Sequence, residues 1–176
     1  MQRLNIIKVI WQRNRVFFIV AFLVVLADQL SKLWIVSNLA LGESTWDVGF
    51  FSLIHTQNTG AAFGIFQNAA LLLTIIGIIG ACLMLFLVFF MYKKLPFLNK
   101  LFVMISLALI FSGTIGNLID RLTMGHVTDF IDFSFWATFN IADSSVVVGA
   151  ILLAFLVIRH SGFSEQKNEN TSYNPC

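Results

Sequence analysis

The sequence predicts an all-α membrane protein of four transmembrane helices, with a small β-structured outer loop and room for a short interfacial helix. Three observations carry that expectation. Of 176 residues, 58% are hydrophobic and only 11% charged, with a mean hydropathy of +0.85; soluble domains are about half apolar and about a quarter charged. Four apolar runs stand out, at about residues 16–37, 69–91, 101–120 and 142–158, each close to the ~20 residues a helix needs to cross the hydrocarbon core. The basic residues, finally, are sorted between the connecting segments, so the net charge of +2 hides a strong asymmetry.

The first run follows Arg3, Lys8, Arg13 and Arg15, and "VVLAD" sets Val25 and Ala27 as a signal-peptide cleavage site would. Because the apolar pattern continues through "QLSKLWIV", the run is read as an uncleaved first span. Lys93, Lys94 and Lys100 lie between spans two and three, and Arg159 and Lys167 follow span four. Residues 38–68 contain no Lys or Arg, and the connection after span three has only Arg121, at its start. By the positive-inside rule both termini and the 92–100 loop are cytoplasmic, while the loops 38–68 and 122–141 face outward. Residues 1–160 then form a single membrane domain, and the polar tail 161–176 reads as solvated and disordered. This charge pattern gives no support to a nucleic-acid partner. Cys82 lies in the second span and Cys176 ends the tail, so no disulfide between them is expected; nor is Cys176 a prenylation box, which needs three residues after the Cys.

The outward loop 38–68 is too long for a simple turn. Its "WDVGFFSLIHTQ" is rich in β-branched and aromatic residues and runs into the Gly-containing "NTGAAFG", a pattern of short strands or a hairpin. Trp46 and the phenylalanines suit headgroup depth. The Gly and Asn content of residues 55–66 marks them as a mobile segment. The second outward loop, 122–141, is also aromatic and is the place for the interfacial helix.

An ionisable side chain at the centre of a spanning helix costs roughly 2.5–3.5 kcal/mol on insertion scales, so those present need a reason. Asp28 and Lys32, four apart on one helix face, can pair with each other. They stand about 18 and about 24 Å above the inner boundary of span one, in the outer half. An ion pair pinning span one to its neighbours and a direct contact with substrate both fit. In span three, "SGTIGNLIDR" puts Gly113, Gly116, Asn117 and Asp120 on one face. The glycines permit close helix approach, and Asn117 can hydrogen-bond across it.

The stretch "TDFIDFSFWATFNIADSS" holds Asp129, Asp132 and Asp143 with no Lys or Arg among them. Span three runs outward and span four runs back, so topology returns Asp129 and Asp143 to the same depth. Asp143 at the start of a helix also has a plain capping role. Asp132 competes with Asp129 for a place in any pair, and spacing does not choose between them. Two carboxylates held close share one proton, so that one activates water while its protonated partner polarises a carbonyl. Rival hydrolytic motifs such as G-x-S-x-G and H-E-x-x-H are absent, and His55, His126 and His160 are scattered. Three other readings remain, one of them a purely structural membrane subunit that would tolerate Asp-to-Asn changes. A small proton-coupled transporter would also carry intramembrane Asp and Lys, and a metal-dependent hydrolase could draw on Asp129, Asp132 and His126.

Five segments, "DQLSK" (28–32), "NTGAAFG" (58–64), "GNLIDR" (116–121), "VTDFID" (127–132) and "FNIADSS" (139–145), together resemble the ordered motifs of the bacterial lipoprotein signal peptidases, signal peptidase II. Thr128, where an aliphatic residue is common, and Ser145, where Ala is usual, are small departures. The resemblance implies an aspartyl endopeptidase of the bacterial cytoplasmic membrane, active at its outer face. Such an enzyme removes signal peptides from prolipoproteins by cutting before a diacylglyceryl-modified Cys. It implies a catalytic pair of Asp129 and Asp143. Asn58, Gly60, Asn117, Arg121 and Asn140 would bind substrate or position the pair, and Asp28, Lys32 and Asp120 would support it. No metal or other cofactor is implied. Membrane lipids and globomycin-type inhibitors are further expected partners.

Overall fold

The computed structural model describes residues 2–60, 69–91 and 94–172. In chain order it contains α1 (Gln2–Asn38), β1 (Ser44–Thr45), β2 (Phe51–Asn58), α2 (Ala70–Phe90), a short 3-10 turn (Pro96–Asn99), α3 (Leu101–Met124), β3 (Val127–Phe133) and α4 (Ile141–Ser172). Among the described residues four helical stretches are long and apolar enough to cross a membrane: Asn14–Asn38, Ala70–Phe90, Leu101–Met124 and Ile141–Ser161. The expected spans are all present, but three helices overrun them. α1 starts at Gln2, and α3 continues to Met124, taking Asp120 and Arg121 into its last turns. α4 runs to Ser172, so the tail expected to be disordered is helical that far. A nucleated helix extends at little cost, and no proline interrupts the tail before Pro175.

α3 is the centre of the bundle, packed against α1, α2, α4 and β3. Half of its apolar window is buried (50%), against 11% for α2, which packs chiefly on α3. Leu71, Ile75, Ile79, Leu83 and Phe86 of α2 are exposed, an apolar face suited to lipid. Phe17, Val88, Val103 and Leu107 form a buried apolar cluster toward the end that carries the termini. The α3–α4 seam is drawn tight by two glycines. Gly113 lies against Ala142, Ser145 and Val146, and Gly149 against Ser106, Leu109 and Ile110. On each helix these positions follow the spacing of one face, and the missing side chains let the backbones approach.

The other end of the bundle carries a three-stranded antiparallel sheet in the order β1-β2-β3. The hairpin expected within 38–68 is β1–β2. The second outward loop departs from expectation: instead of an interfacial helix, residues 127–133 form strand β3, paired with β2. "VTDFIDF" is rich in β-branched and aromatic residues, and the open edge of β2 decides its conformation. Gly125, at φ 78° in the left-handed region, caps α3 by donating to the Arg121 carbonyl (3.1 Å) and turns the chain into β3. Of the segment expected to be mobile, residues 55–58 belong to β2, and residues 61–66 lie outside the described residues.

The β2–β3 register shifts by one residue between Leu53 and Thr56. Leu53 pairs with Ile131, but Thr56 pairs with Asp129 and Asn58 with Val127. This bulge reverses which β2 residues share a face with the odd-numbered positions of β3, so Thr56 and Asn58 come to the side of Asp129. On the opposite face Phe130 packs with Ile35 and Leu39 at the end of α1. Thr128, on that same face, is fully buried, and its hydroxyl has no hydrogen-bond partner among the described residues. Thr128→Val is therefore expected to stabilise the fold by about 1 kcal/mol, read as a rise of about 2–4 °C in Tm in detergent. An unchanged or lower Tm would show that the hydroxyl has a partner in solution.

Candidate active site

Asn140 immediately precedes α4 and begins it. Its side-chain Oδ1 accepts the Asp143 N–H (2.9 Å), and Asp143 Oδ2 accepts the Asn140 N–H in return (3.3 Å). This is a reciprocal capping box, so Asp143 does serve as a helix cap. Its second oxygen remains available and takes a hydrogen bond from Asn117 Nδ2 of α3 (2.7 Å). The Asn140 amide meanwhile donates to Asp129 Oδ1 (2.7 Å). One asparagine thus binds both carboxylates, one from β3 and one from α4.

Asp129 is further held by Asn58 Nδ2 (2.8 Å) on its Oδ2, the contact that the β2 bulge makes possible. Asn58 Oδ1 accepts the Gly60 N–H (2.9 Å), and Arg121 donates to the Gly60 carbonyl (3.3 Å). Asp129 is only 2% exposed. Its carboxyl is pushed up from 3.8 to about 7, first by burial and then by the charge of Asp143; hydrogen bonds from Asn58 and Asn140 and the Lys32 charge oppose the rise.

Behind the pair lies a second buried group. The Lys32 ammonium meets Asp28 Oδ2 (2.8 Å), Asp120 Oδ2 (2.9 Å) and Asn117 Oδ1 (3.0 Å). Lys32, Asp28 and Asp120 are 3%, 0% and 1% exposed, which makes this an interior ion cluster. Of the two readings open for Asp28 and Lys32, the geometry matches the ion pair that joins span one to its neighbours, since neither residue borders the cavity. Gln29, which the sequence reading passed over, donates to Asp28 Oδ2 (3.2 Å), the Gly116 carbonyl (3.2 Å) and Asp120 Oδ1 (3.0 Å). Thr56, likewise missed, donates to the Asp129 carbonyl (3.0 Å). An amide in an apolar run was the available signal for Gln29; for Thr56 there was none, because its place depends on the bulge.

The two carboxylates border a cavity of about 700 Å³. Asn58, Gly60, Asn117 and Arg121 give it polar walls, and Val127, Phe139, Val146, Val147, Val148 and Trp136 give it apolar ones. A smaller recess of about 290 Å³ between α2 and α3 shares Asn117, Arg121 and Val146 with it. Of the ten residues expected at the site, six line the cavity, and Asn140, Asp28, Lys32 and Asp120 stand directly behind it. Asp132 is not among them. Three residues after Asp129 on a strand, it points to the opposite face, near Ser52 Oγ (3.4 Å) and Thr138 Oγ1 (3.3 Å). That parity also splits the metal set of Asp129, Asp132 and His126. His55 is buried elsewhere, with Nδ1 on the Leu39 carbonyl (2.9 Å).

Comparison with known proteins gives a consistent picture. Residues 20–159 match the family model described as signal peptidase (SPase) II. A lipoprotein signal peptidase of Dehalococcoides mccartyi is 48% identical over 158 residues, covering 90% of this chain and 98% of that protein. One of Clostridium tetani is 40% identical, covering 85% and 96% respectively. A solved bacterial membrane enzyme superposes with a TM-score of 0.75 at 31% identity, over 82% of this chain and 88% of its own.

Proposed function

Since this chain belongs to the signal peptidase II family, we propose that it is an aspartyl endopeptidase that removes signal peptides from prolipoproteins by cutting before the diacylglyceryl-modified Cys, with Asp129 and Asp143 as its catalytic pair. The observation that carries this reading is that Asn140 bonds both carboxylates at the wall of one cavity. The raised Asp129 carboxyl, at about 7, supports a pair that retains one proton near neutrality, a property of the two together.

In the proposed reaction the ionised carboxylate takes a proton from a water whose oxygen attacks the scissile carbonyl. The protonated partner donates to the carbonyl oxygen. As the tetrahedral intermediate collapses, the C–N bond breaks, the proton taken from water passes to the leaving nitrogen, and a hydroxyl proton of the intermediate returns to the partner carboxylate, restoring the pair. The signal peptide leaves with a new carboxylate, and the lipid-bearing Cys with a free amine. Arg121, Asn117 and Asn58 are placed to hold substrate backbone groups that lipid cannot satisfy, and Val146–Val148 and Phe139 suit the apolar parts of a lipid-anchored segment. Anchoring by lipid supplies part of the positioning. Globomycin-type peptides would occupy the same cavity. The basic residues at the termini and in the 92–100 loop favour a cytoplasmic side for that end and an outer-face site for the sheet end. A transporter is disfavoured by the gathering of the carboxylates at one end, above an apolar cluster.

Purified protein in detergent should cleave a diacylglyceryl-modified prolipoprotein and leave the unmodified form intact. EDTA should make no difference, and Asp132→Asn should stay within about threefold of wild type, as expected for a residue outside the chemistry. Loss of cleavage in EDTA, or with Asp132→Asn, would reopen the metal reading; an intact modified substrate would overturn the peptidase assignment.

A further inference from the structure

The buried ion cluster has a symmetry that the hydrolytic reading leaves unexplained. Asp28 and Asp120 each use one carboxylate oxygen on the Lys32 ammonium, at 2.8 and 2.9 Å. Each also accepts one backbone N–H from another element. Asp28 Oδ1 holds the N–H of Ala142 (2.9 Å), and Asp120 Oδ2 holds the N–H of Thr128 (3.2 Å). Ala142 is the residue before Asp143, and Thr128 is the residue before Asp129. One ammonium, on α1, is thereby tied through two carboxylates to the backbones that carry both members of the proposed pair. Its third proton goes to Asn117 Oδ1 (3.0 Å), which also receives Asn140 Nδ2 (3.1 Å). That arrangement turns the Asn117 NH₂ toward Asp143.

We infer that Lys32 is the positioning residue that sets the separation of Asp129 and Asp143, with Asp28 and Asp120 acting as struts to the backbone. This rests on the reading of the two aspartates as the catalytic pair. The ammonium suits the task by shape as well as charge. It has three donors on one atom, and three acceptors from α1 and α3 surround it. The two strands of support converge on an element, α1, that contributes no residue to the cavity wall among those described. A misplacement of about 1 Å between reacting groups can reduce a rate about a hundredfold, so the cluster acts on the chemical step without touching substrate.

A spacing role, a charge role and a purely structural role predict different kinetics. Lys32→Arg keeps the positive charge but replaces the three-pronged ammonium with a longer planar fork. It is expected to lower kcat about a hundredfold while KM stays within threefold, since no cavity-lining residue changes. Asp28→Asn, which leaves an oxygen for the Ala142 N–H but breaks the ion pair, should lower kcat about tenfold with KM again unchanged. The two substitutions break the same strut, so their combined loss should fall well short of the product. Thermal unfolding in the same detergent identifies variants that fail to fold; if Lys32→Arg is one, Asp28→Asn and Asp120→Asn carry the test. Near-wild-type kcat in folded Lys32→Arg would overturn the spacing role and leave charge alone as its function, and a rise in KM at constant kcat would overturn it in favour of substrate binding. Wild-type cleavage under the same conditions separates either outcome from a failure of the peptidase reading.

Discussion

Asp129→Asn and Asp143→Asn are each expected to lower cleavage of a diacylglyceryl-modified prolipoprotein at least a thousandfold, with little change in KM. An amide neither removes a proton from water nor donates one in turn, and general acid–base catalysis alone is worth roughly a hundred- to ten-thousandfold. In the proposed reaction both groups act in one proton exchange, so the double variant should be scarcely slower than either single one. The wild-type rate should fall as pH rises above about 7, where Asp129 loses the proton that the pair shares. Stability should carry a mark of the same group at lower pH. The Asp129 carboxyl titrates at about 7 when folded against 3.8 when exposed, so the folded state holds the extra proton between those values. Wild type therefore loses stability as pH rises from about 4 to about 7. Asp129→Asn has no such proton to lose, and should match wild type near pH 4 and exceed it in Tm at pH 8. A variant that keeps a tenth of the wild-type rate would exclude its aspartate from the chemistry, and a Tm of Asp129→Asn below wild type at pH 8 would contradict the buried carboxylate.

The legible and illegible parts of this protein divide by the range of the forces involved. Hydropathy over about twenty residues located all four spans, because lipid acts on each segment separately. The β1–β2 hairpin was legible for the same reason, its strand propensity being local. β3 was not: "VTDFIDF" becomes a strand because β2, about seventy residues earlier in the chain, offers an edge. The choice between Asp129 and Asp132 depended on that missing element. Once the segment is a strand, a spacing of three sends the two carboxylates to opposite faces, whereas as a helix it would have kept them together. The reach of Asn58 to Asp129 was further hidden, since it follows from a one-residue bulge. Asp28 and Lys32 were correctly paired by their four-residue spacing, but Asp120 and Asn117 join them, and Gln29 reaches Asp120, only through the packing of α1 on α3. The motif resemblance supplied those residues as a set, without the geometry that relates them.

The tight α3–α4 seam places the heaviest demand on Gly113, and Gly113→Val is expected to destabilise the protein by about 3 kcal/mol and to lower kcat at least a hundredfold. A Cβ there would collide with the Ala142 carbonyl oxygen and the Ser145 hydroxyl, and would lie 2.7 Å from Val146 Cγ2. The first obstacle is backbone inside the first turn of α4, which no side-chain rotation can move aside. Overpacking of this kind costs about 1–3 kcal/mol, and here α4 must shift bodily. The shift has a catalytic consequence, because Asn117 stands one helical turn from Gly113 on the same face and holds Asp143 at 2.7 Å. Moving α4 outward lengthens that bond and draws Asp143 away from Asp129. Gly77 of α2 provides the contrast. A Cβ at that position would meet, among the described residues, only Leu118 and Thr114 side-chain atoms at 3.8 Å, an ordinary contact. Gly77→Ala should therefore leave activity intact and hold or slightly raise Tm, as a helix gains about 1 kcal/mol when alanine replaces glycine without strain. Equal losses from both substitutions would mean that glycine is needed along these helices for flexibility; loss from Gly113→Val alone would place the requirement in the contact between α3 and the first turn of α4.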